Sequence, residues 1–432
     1  MPFSVLFVYA LTIFGTVIGP LSPYTAFLAY VMLGILKPDK LWFGMVEPSN
    51  YSRCIAIGML VGWILRGFGN WNLGRTWGII LALLGFLLWA HIGGLIAPNQ
   101  FVAYEYLDVM TKIIIPCFMA LTLIDSVAKL QQLAWVIVIS VGYVAWHENE
   151  VYFSGNFLDR DNVIAHTMAM GVSLAFFLGL YSKHLWQKII AYTCAGVMVH
   201  GVLIHESRGA MLGVLVMGIL TFILMGKKPV HYWMFLLGLL AAIIMAGQGV
   251  QERFTTIFAS EENRDASAES RLMFWAGMWR GIKANPVFGV GPDHWHLVSE
   301  RYGLPPHREG HNLWIQVAAE HGFPGIICLV TFYLLTLKRL WPIARQKVKA
   351  ADPWIGLLAC TVFATICGYM TEAIFGSFRT LEVAYYVGIL GAGTVLMQER
   401  LSDATTTAPE YSPEWAQGLS GQAITAMPRP FV

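Results

Sequence analysis

The sequence predicts an all-α polytopic membrane protein with 12 or 13 transmembrane helices and one long extramembrane loop. Three observations carry this. Of 432 residues, 56% are hydrophobic and only 12% are charged, whereas a soluble protein is about one quarter charged. The apolar residues recur in runs that approach the roughly 20 residues a spanning helix needs. The remaining charge gathers in short connectors and in a single segment, 248–310. A formal net charge of +2 supplies no basic field, which excludes a nucleic-acid binder, and the apolar content excludes a disordered chain.

In chain order the apolar runs lie near 3–19, 21–36, 54–66, 76–97, 108–124, 131–147, 163–181, 186–204, 209–225, 230–247, 311–337, 353–373 and 381–397. Pro20 and Pro23 interrupt the first of these, so the count is 12 or 13. The chain enters its first run without a basic leader, which reads as a retained helix rather than a removable signal. Connectors with Arg66 and Arg75, Lys129, Lys183 and Lys188, and Lys227 and Lys228 alternate with connectors that carry no basic excess. The linker with Lys338, Arg339, Arg345, Lys347 and Lys349 is the most basic. The positive-inside rule puts these in the cytoplasm and puts 98–107, 148–162, 205–208, 248–310 and 374–380 on the other side. Residues 1–400 then form one transmembrane catalytic domain that includes the 248–310 loop, and 401–432 form a disordered cytoplasmic tail.

The 248–310 loop holds seven Lys or Arg and eight Asp or Glu. Loops of this length are commonly functional. Within it Leu272, Trp275, Met278, Trp279 and Ile282 recur at helical spacing, the pattern of a short interfacial helix. Asn285-Pro286 ends that helix and Gly289-Val290-Gly291-Pro292 makes a tight turn. The six cysteines show no zinc-binding spacing and read as small buried hydrophobes.

Titratable groups near the outer ends of spans are the candidates for chemistry, because polar groups at membrane depth are costly and usually functional. Arg208, at the start of the ninth run, offers a five-donor fork suited to phosphate. A salt bridge to Glu206 or a snorkelling cap competes with that reading. Arg271 is a ligand clamp or an interfacial anchor, and Arg253, Arg280 and Arg308 are further candidates. His311 can take a proton near neutral pH and serve as a general base, or cap the helix beside Asn312. His205 is the alternative base. Glu320 lies too far along the helix to orient His311 unless the helix bends, and Glu320-His321-Gly322-Phe323-Pro324-Gly325 reads chiefly as a local break. Glu372 is expected to pair with Arg379 or with another of the arginines. Asp159, Arg160, Asp161 and Asn162 read as a cap and solvated face. Metal pairs from His307 and His311, or from His294 and His296, lack a supporting motif, and no metal is expected. No ATP-binding, dinucleotide or serine-nucleophile motif occurs, and no cofactor is expected.

Ser207-Arg208-Gly209, then Ser270-Arg271 leading to Trp275 and Pro286-Val287-Phe288-Gly289-Val290-Gly291, then His311-Asn312-Leu313 with Glu320 and Gly322 to Gly325, together resemble the O-antigen ligase superfamily of ligases, polysaccharide polymerases and protein O-oligosaccharyltransferases. Residues 37–44, Lys-Pro-Asp-Lys-Leu-Trp-Phe-Gly, resemble the subgroup of exosortase-associated O-glycosylation ligases. The resemblance implies a 12-helix enzyme of the bacterial inner membrane with its active site facing the periplasm. It implies metal-independent inverting transfer of a glycan from undecaprenyl pyrophosphate to a glycan, lipid A–core or protein acceptor. Carried over, Arg208 and Arg271 hold the pyrophosphate and His311 serves the acceptor hydroxyl; Arg308, Glu206, His205, Glu320 and Glu372 are supporting candidates from their places near the outer ends of the spans, not from the resemblance. A polymerase, which takes a second lipid-linked glycan as acceptor, shares this chemistry. A polysaccharide or lipid transporter is the alternative of another class, although it would place polar groups at the midplane in repeated broken helices.

Overall fold

A computed structural model describes residues 3–47, 49–155, 162–224, 266–306 and 309–407, with a few positions between 229 and 240. Among the described residues the chain is helical and contains no strand. The helices are α1 (Phe3–Ile18), α2 (Pro23–Leu36), the short α3 (Pro38–Leu41), α4 (Tyr51–Leu65), α5 (Trp77–Leu95), α6 (Gln100–Leu123), α7 (Val127–Phe153), α8 (Asn162–Tyr181), α9 (Leu185–Ile204) and α10 (Arg208–Leu224). They continue as α11 (Ala266–Ala284), the short α12 (Trp295–Val298), α13 (Leu313–Ala344), α14 (Pro353–Glu372) and α15 (Glu382–Thr407).

Among the described residues, seven helical segments are long and apolar enough to cross a membrane: Gly74–Leu95, α6, α7, Val163–Tyr181, α9, α13 and α14. The apolar helices α1, α4 and α10 are shorter. Most of the expected run 230–247 lies outside the described residues, as do Arg253, Arg308, His307 and 159–161. The final helix does not stop at Arg400, where a tail was expected, but continues to Thr407. The turn before that extension is anchored. Arg400 donates to the carbonyls of Ile124 and Asn72, and Glu399 pairs with Arg75.

Local chemistry starts the helices. Asn99 accepts from the amides of Phe101 and Val102, and Asp352 accepts from that of Trp354 with Pro353 in the first turn. These are side-chain caps on otherwise unpaired donors. From Val383 to Met397, α15 is buried almost without interruption. An apolar helix with no polar face belongs in the interior of a bundle, and α2, α6, α7, α8, α13 and α14 pack against it. Leu81, Leu88, Trp186, Ile189, Ile219, Ile327 and Leu334 face outwards, which suits lipid rather than water.

The expected break in α13 is real. Gly322 has φ 67° and ψ −173°, two residues before Pro324. The loop after α11 fills the gap: Val290 N donates to Ala319 O at 2.8 Å, Gly291 N to Glu320 O at 3.1 Å, and Phe323 N to Pro286 O at 2.8 Å. Trp89 Nε1 donates to His321 O at 2.9 Å, and its ring stacks on Phe288. The carbonyls of Ala319, Glu320 and His321 thus each have a new donor, as buried backbone requires. A Cβ on Gly322 would lie 2.1 Å from Val287 O, and one on Gly289 would lie 2.3 Å from the Glu320 carbonyl carbon. Gly322→Ala is therefore expected to destabilise the fold by at least the ~1–2 kcal/mol of a left-handed non-glycine residue. Thermal unfolding of the purified variant checks this, and an unchanged midpoint would refute it.

The described chain sorts its charge by end. Arg75, Arg400, Lys349 and the 124–129 connector meet at one end of the bundle through the bonds of α15. The ends of α9, α13 and α14 beside His205, His311 and Glu372 lie at the other.

Candidate functional site

The segment carrying His311 is gripped from three sides. Trp275 Nε1 on α11 donates to Gly310 O at 2.8 Å, and Leu313 N donates to Ala373 O at 2.8 Å, just past the end of α14. Gly310 N donates to Gln316 Oε1 at 3.3 Å. Asn312 caps α13 by accepting from Trp314 N at 3.0 Å and Ile315 N at 3.1 Å. The capping role therefore belongs to Asn312 and not to His311. His311 is exposed and held at φ 47°, a left-handed conformation that costs a histidine energy and that recurs at functional sites.

Arg271 lies one helical turn before Trp275 on α11, so it is on the flank that reaches Gly310. The inward face of α11 is Phe274, Met278 and Ile282, while Leu272 and Trp279 point away. Arg208 is the first residue of α10 and is half-buried. Glu206, two residues earlier, is itself left-handed at φ 50°. The neighbouring Ser207 Oγ is 3.3 Å from His166 Nε2, and His166 Nδ1 is 3.0 Å from Glu372 Oε2. Since Glu372 adjoins Ala373, which accepts from Leu313, the starts of α10 and α13 are tied through one helix end. The fold thus brings the elements carrying Arg208, Arg271 and His311 to one mouth.

Two pairings differ from expectation. Glu372 partners His166, not Arg379. Arg379 instead gathers three carboxylates: Glu320 at 2.8 Å, Asp293 at 2.5 Å and Glu309 at 3.1 Å. Its guanidinium also lies over the Tyr106 ring. Burial works against the Arg379 charge, but Glu320, Asp293 and Glu309 outweigh it and raise the guanidinium above its ordinary pKa. Glu320 is fully buried and reaches the His311 segment without any bend towards it. Gln316 Nε2 donates to Glu320 Oε1 at 2.8 Å, while Gln316 Oε1 accepts from Gly310 N and Ser377 Oγ. A cavity of about 250 Å³ opens beside Arg379, among Glu105, Tyr106, Asp293, Ser377 and Thr380.

Other candidates fall elsewhere. The buried ring of His205 faces Glu148 of α7 at 3.3 Å. His294 is buried between backbone groups: its Nδ1 is 2.7 Å from Pro292 O, and its Nε2 accepts from Asn99 N at 2.9 Å. With both nitrogens engaged it locks a turn. Among the described residues no group of three or more His, Cys, Asp or Glu could hold a metal. Sequence reasoning missed His166 and Gln316. The signal for His166 was a histidine inside the apolar run 163–181.

Residues 193–330 match the family described as O-antigen ligase, and residues 3–148 match a family of unknown function. No curated protein matches the chain. The first match takes in Arg208, Arg271, His311 and Glu320, and stops short of Glu372 and Arg379 on one side and of His166 on the other. Through that segment the chain is similar to the O-antigen ligase family.

Proposed function

We propose that this protein transfers a glycan, with inversion, from undecaprenyl pyrophosphate to an acceptor hydroxyl at the periplasmic face of the bacterial inner membrane. It does so as one transmembrane catalytic domain of about 12 spans with the loop 248–310 on the periplasmic side and the residues after Thr407 in the cytoplasm. The gathering of basic connectors at the end opposite His311 supports that orientation.

Lipid pyrophosphate is a good leaving group, so the protein has two tasks. It stabilises the charge that develops on the departing phosphate oxygen, and it accepts the acceptor's proton. Arg208 and Arg271 perform the first, since preorganised guanidinium donors are most effective where charge appears in the transition state. His311 performs the second. As its ring nitrogen takes the hydroxyl proton, the oxygen forms the new bond to the anomeric carbon opposite the breaking carbon–oxygen bond, and pyrophosphate leaves on its lipid. Neither step calls for a nucleotide or a metal. Arg379, Glu320 and Gln316 hold the His311 segment, and the cavity beside Arg379 leaves room for a saccharide.

The observation that carries this reading is the exposed, left-handed His311, relieved of capping by Asn312 and bonded through its neighbours to α11 and α14. The test supplies purified protein with undecaprenyl-pyrophosphate-linked glycan and offers, separately, lipid A–core, a second lipid-linked glycan and a protein acceptor. Release of lipid pyrophosphate with a new glycosidic bond is expected. The successful acceptor distinguishes ligase, polymerase and protein glycosylation of the exosortase-associated kind. Movement of the lipid-linked glycan across the bilayer without bond exchange would refute transfer in favour of transport.

A further inference from the structure

One buried chain of side chains has no part in the reaction as described so far. Glu372, the last residue of α14, and His166, on the first turns of α8, are 0% and 1% exposed. Their contact of 3.0 Å continues from His166 Nε2 to Ser207 Oγ at 3.3 Å. Ser207 is also buried, and it immediately precedes Arg208. A carboxyl and an imidazole withdrawn from water inside a helical bundle are costly to keep, and such residues are generally retained for function.

The geometry around the chain is specific. Met211 N donates to Ser207 O at 3.0 Å, so Ser207 occupies the position from which a serine ordinarily folds back to cap its helix. Its hydroxyl is directed to His166 instead. The same helix makes room for both partners. A Cβ on Gly209 would lie 3.1 Å from His166 Cε1 and 2.8 Å from Phe375 Cβ, and one on Gly213 would lie 2.7 Å from Glu372 Oε2. Phe378, next to Arg379, closes over the His166 ring with centroids 3.9 Å apart. Helices α8, α10 and α14 and the loop after α14 all meet at this imidazole, and the contact they share ends at the residue before Arg208.

We propose that Glu372 and His166 are positioning residues that act through Ser207: together they set the first turn of α10 and so aim the Arg208 guanidinium at the lipid pyrophosphate. The inference rests on the reading of Arg208 as a pyrophosphate ligand. It also accounts for the triplet Ser207-Arg208-Gly209: the serine takes the bond from His166, the arginine meets the donor, and the glycine admits the imidazole.

The test uses full-length protein in detergent and two readouts: direct binding of undecaprenyl pyrophosphate, and glycan transfer with separate KM values for donor and acceptor. Ser207→Ala and Glu372→Ala are expected to weaken undecaprenyl pyrophosphate binding and raise the donor KM about tenfold, the scale of one well-placed hydrogen bond. The acceptor KM should stay unchanged, and Ser207→Thr and Glu372→Gln, which keep a hydrogen-bonding group in place, should recover most of the loss. If Glu372→Ala does not fold, Ser207→Ala decides, because it removes a single hydroxyl. Unchanged binding by folded Ser207→Ala overturns the proposal. So does a fall in thermal stability accompanied by a rise in both KM values, which would mark the chain as structural. If the wild-type protein binds undecaprenyl pyrophosphate but transfers glycan to no acceptor, the transfer reading fails while the binding readout still decides the relay. If the wild type does not bind that lipid at all, both fail.

Discussion

His311→Asn is expected to lower kcat/KM for glycan transfer by about 100- to 10,000-fold, the range of a lost general base, while the protein folds normally. Asparagine suits this test because it tolerates the left-handed φ of 47° and offers polar contacts, yet takes up no proton near neutral pH. His311→Gly sharpens the test. Glycine adopts positive φ at no steric cost, so this variant should lose transfer to the same degree while its unfolding temperature holds or rises. Opposite movement of stability and activity marks strain retained for function. A variant that lost stability with transfer, or retained full transfer, would remove His311 from the reaction. Steady-state transfer and thermal unfolding on the same preparations supply both numbers.

Arg379→Ala should be among the most destabilising single substitutions in the described chain, by about 3–5 kcal/mol, because it leaves the fully buried Glu320 without its counter-charge. The Arg379 side chain is only 11% exposed, so solvent cannot compensate. Asp293 and Glu309 would lose a partner too, but at 31% and 39% exposure they can turn to water. The double variant Arg379→Ala/Glu320→Gln should therefore be more stable than Arg379→Ala alone, since it removes the stranded charge; with Glu320→Gln alone as the fourth corner, the cycle measures the coupling. Equal stability of the single and double variants would show that the ion pair does not hold this corner. Transfer should fall along with stability, because Glu309 and Gln316 connect this cluster to the residues flanking His311.

The break in α13 was legible because it has a local cause. Gly322 and Pro324 prevent regular helix wherever they stand, and the glycines of 289–291 announce a turn. Helices α5 to α9 were legible for the same kind of reason: a long apolar run between polar connectors has few other solutions in lipid. Arg208, Arg271 and His311 stood out as charge against an apolar background. The partners of Glu372 and Arg379 did not. Each lies at a helix end near several opposite charges, and sequence separation says nothing about which one faces it; His166 is 206 positions from Glu372. Asn312 and His311 illustrate the same limit at short range, since adjacent residues both able to cap are told apart only by their dihedral angles.

By itself, then, the sequence determined that the chain is helical and apolar, where its main runs and its break fall, and which charged residues stand at their ends, because hydropathy and backbone sterics act over a few neighbouring residues. Tertiary structure alone decided that Glu372 turns to His166 and Ser207, that Arg379 collects Glu320, Asp293 and Glu309, and that His311 is held left-handed between α11 and α14. A buried charge is satisfied by whatever group the packing of distant helices brings within hydrogen-bonding reach, and that packing is a property of the whole bundle.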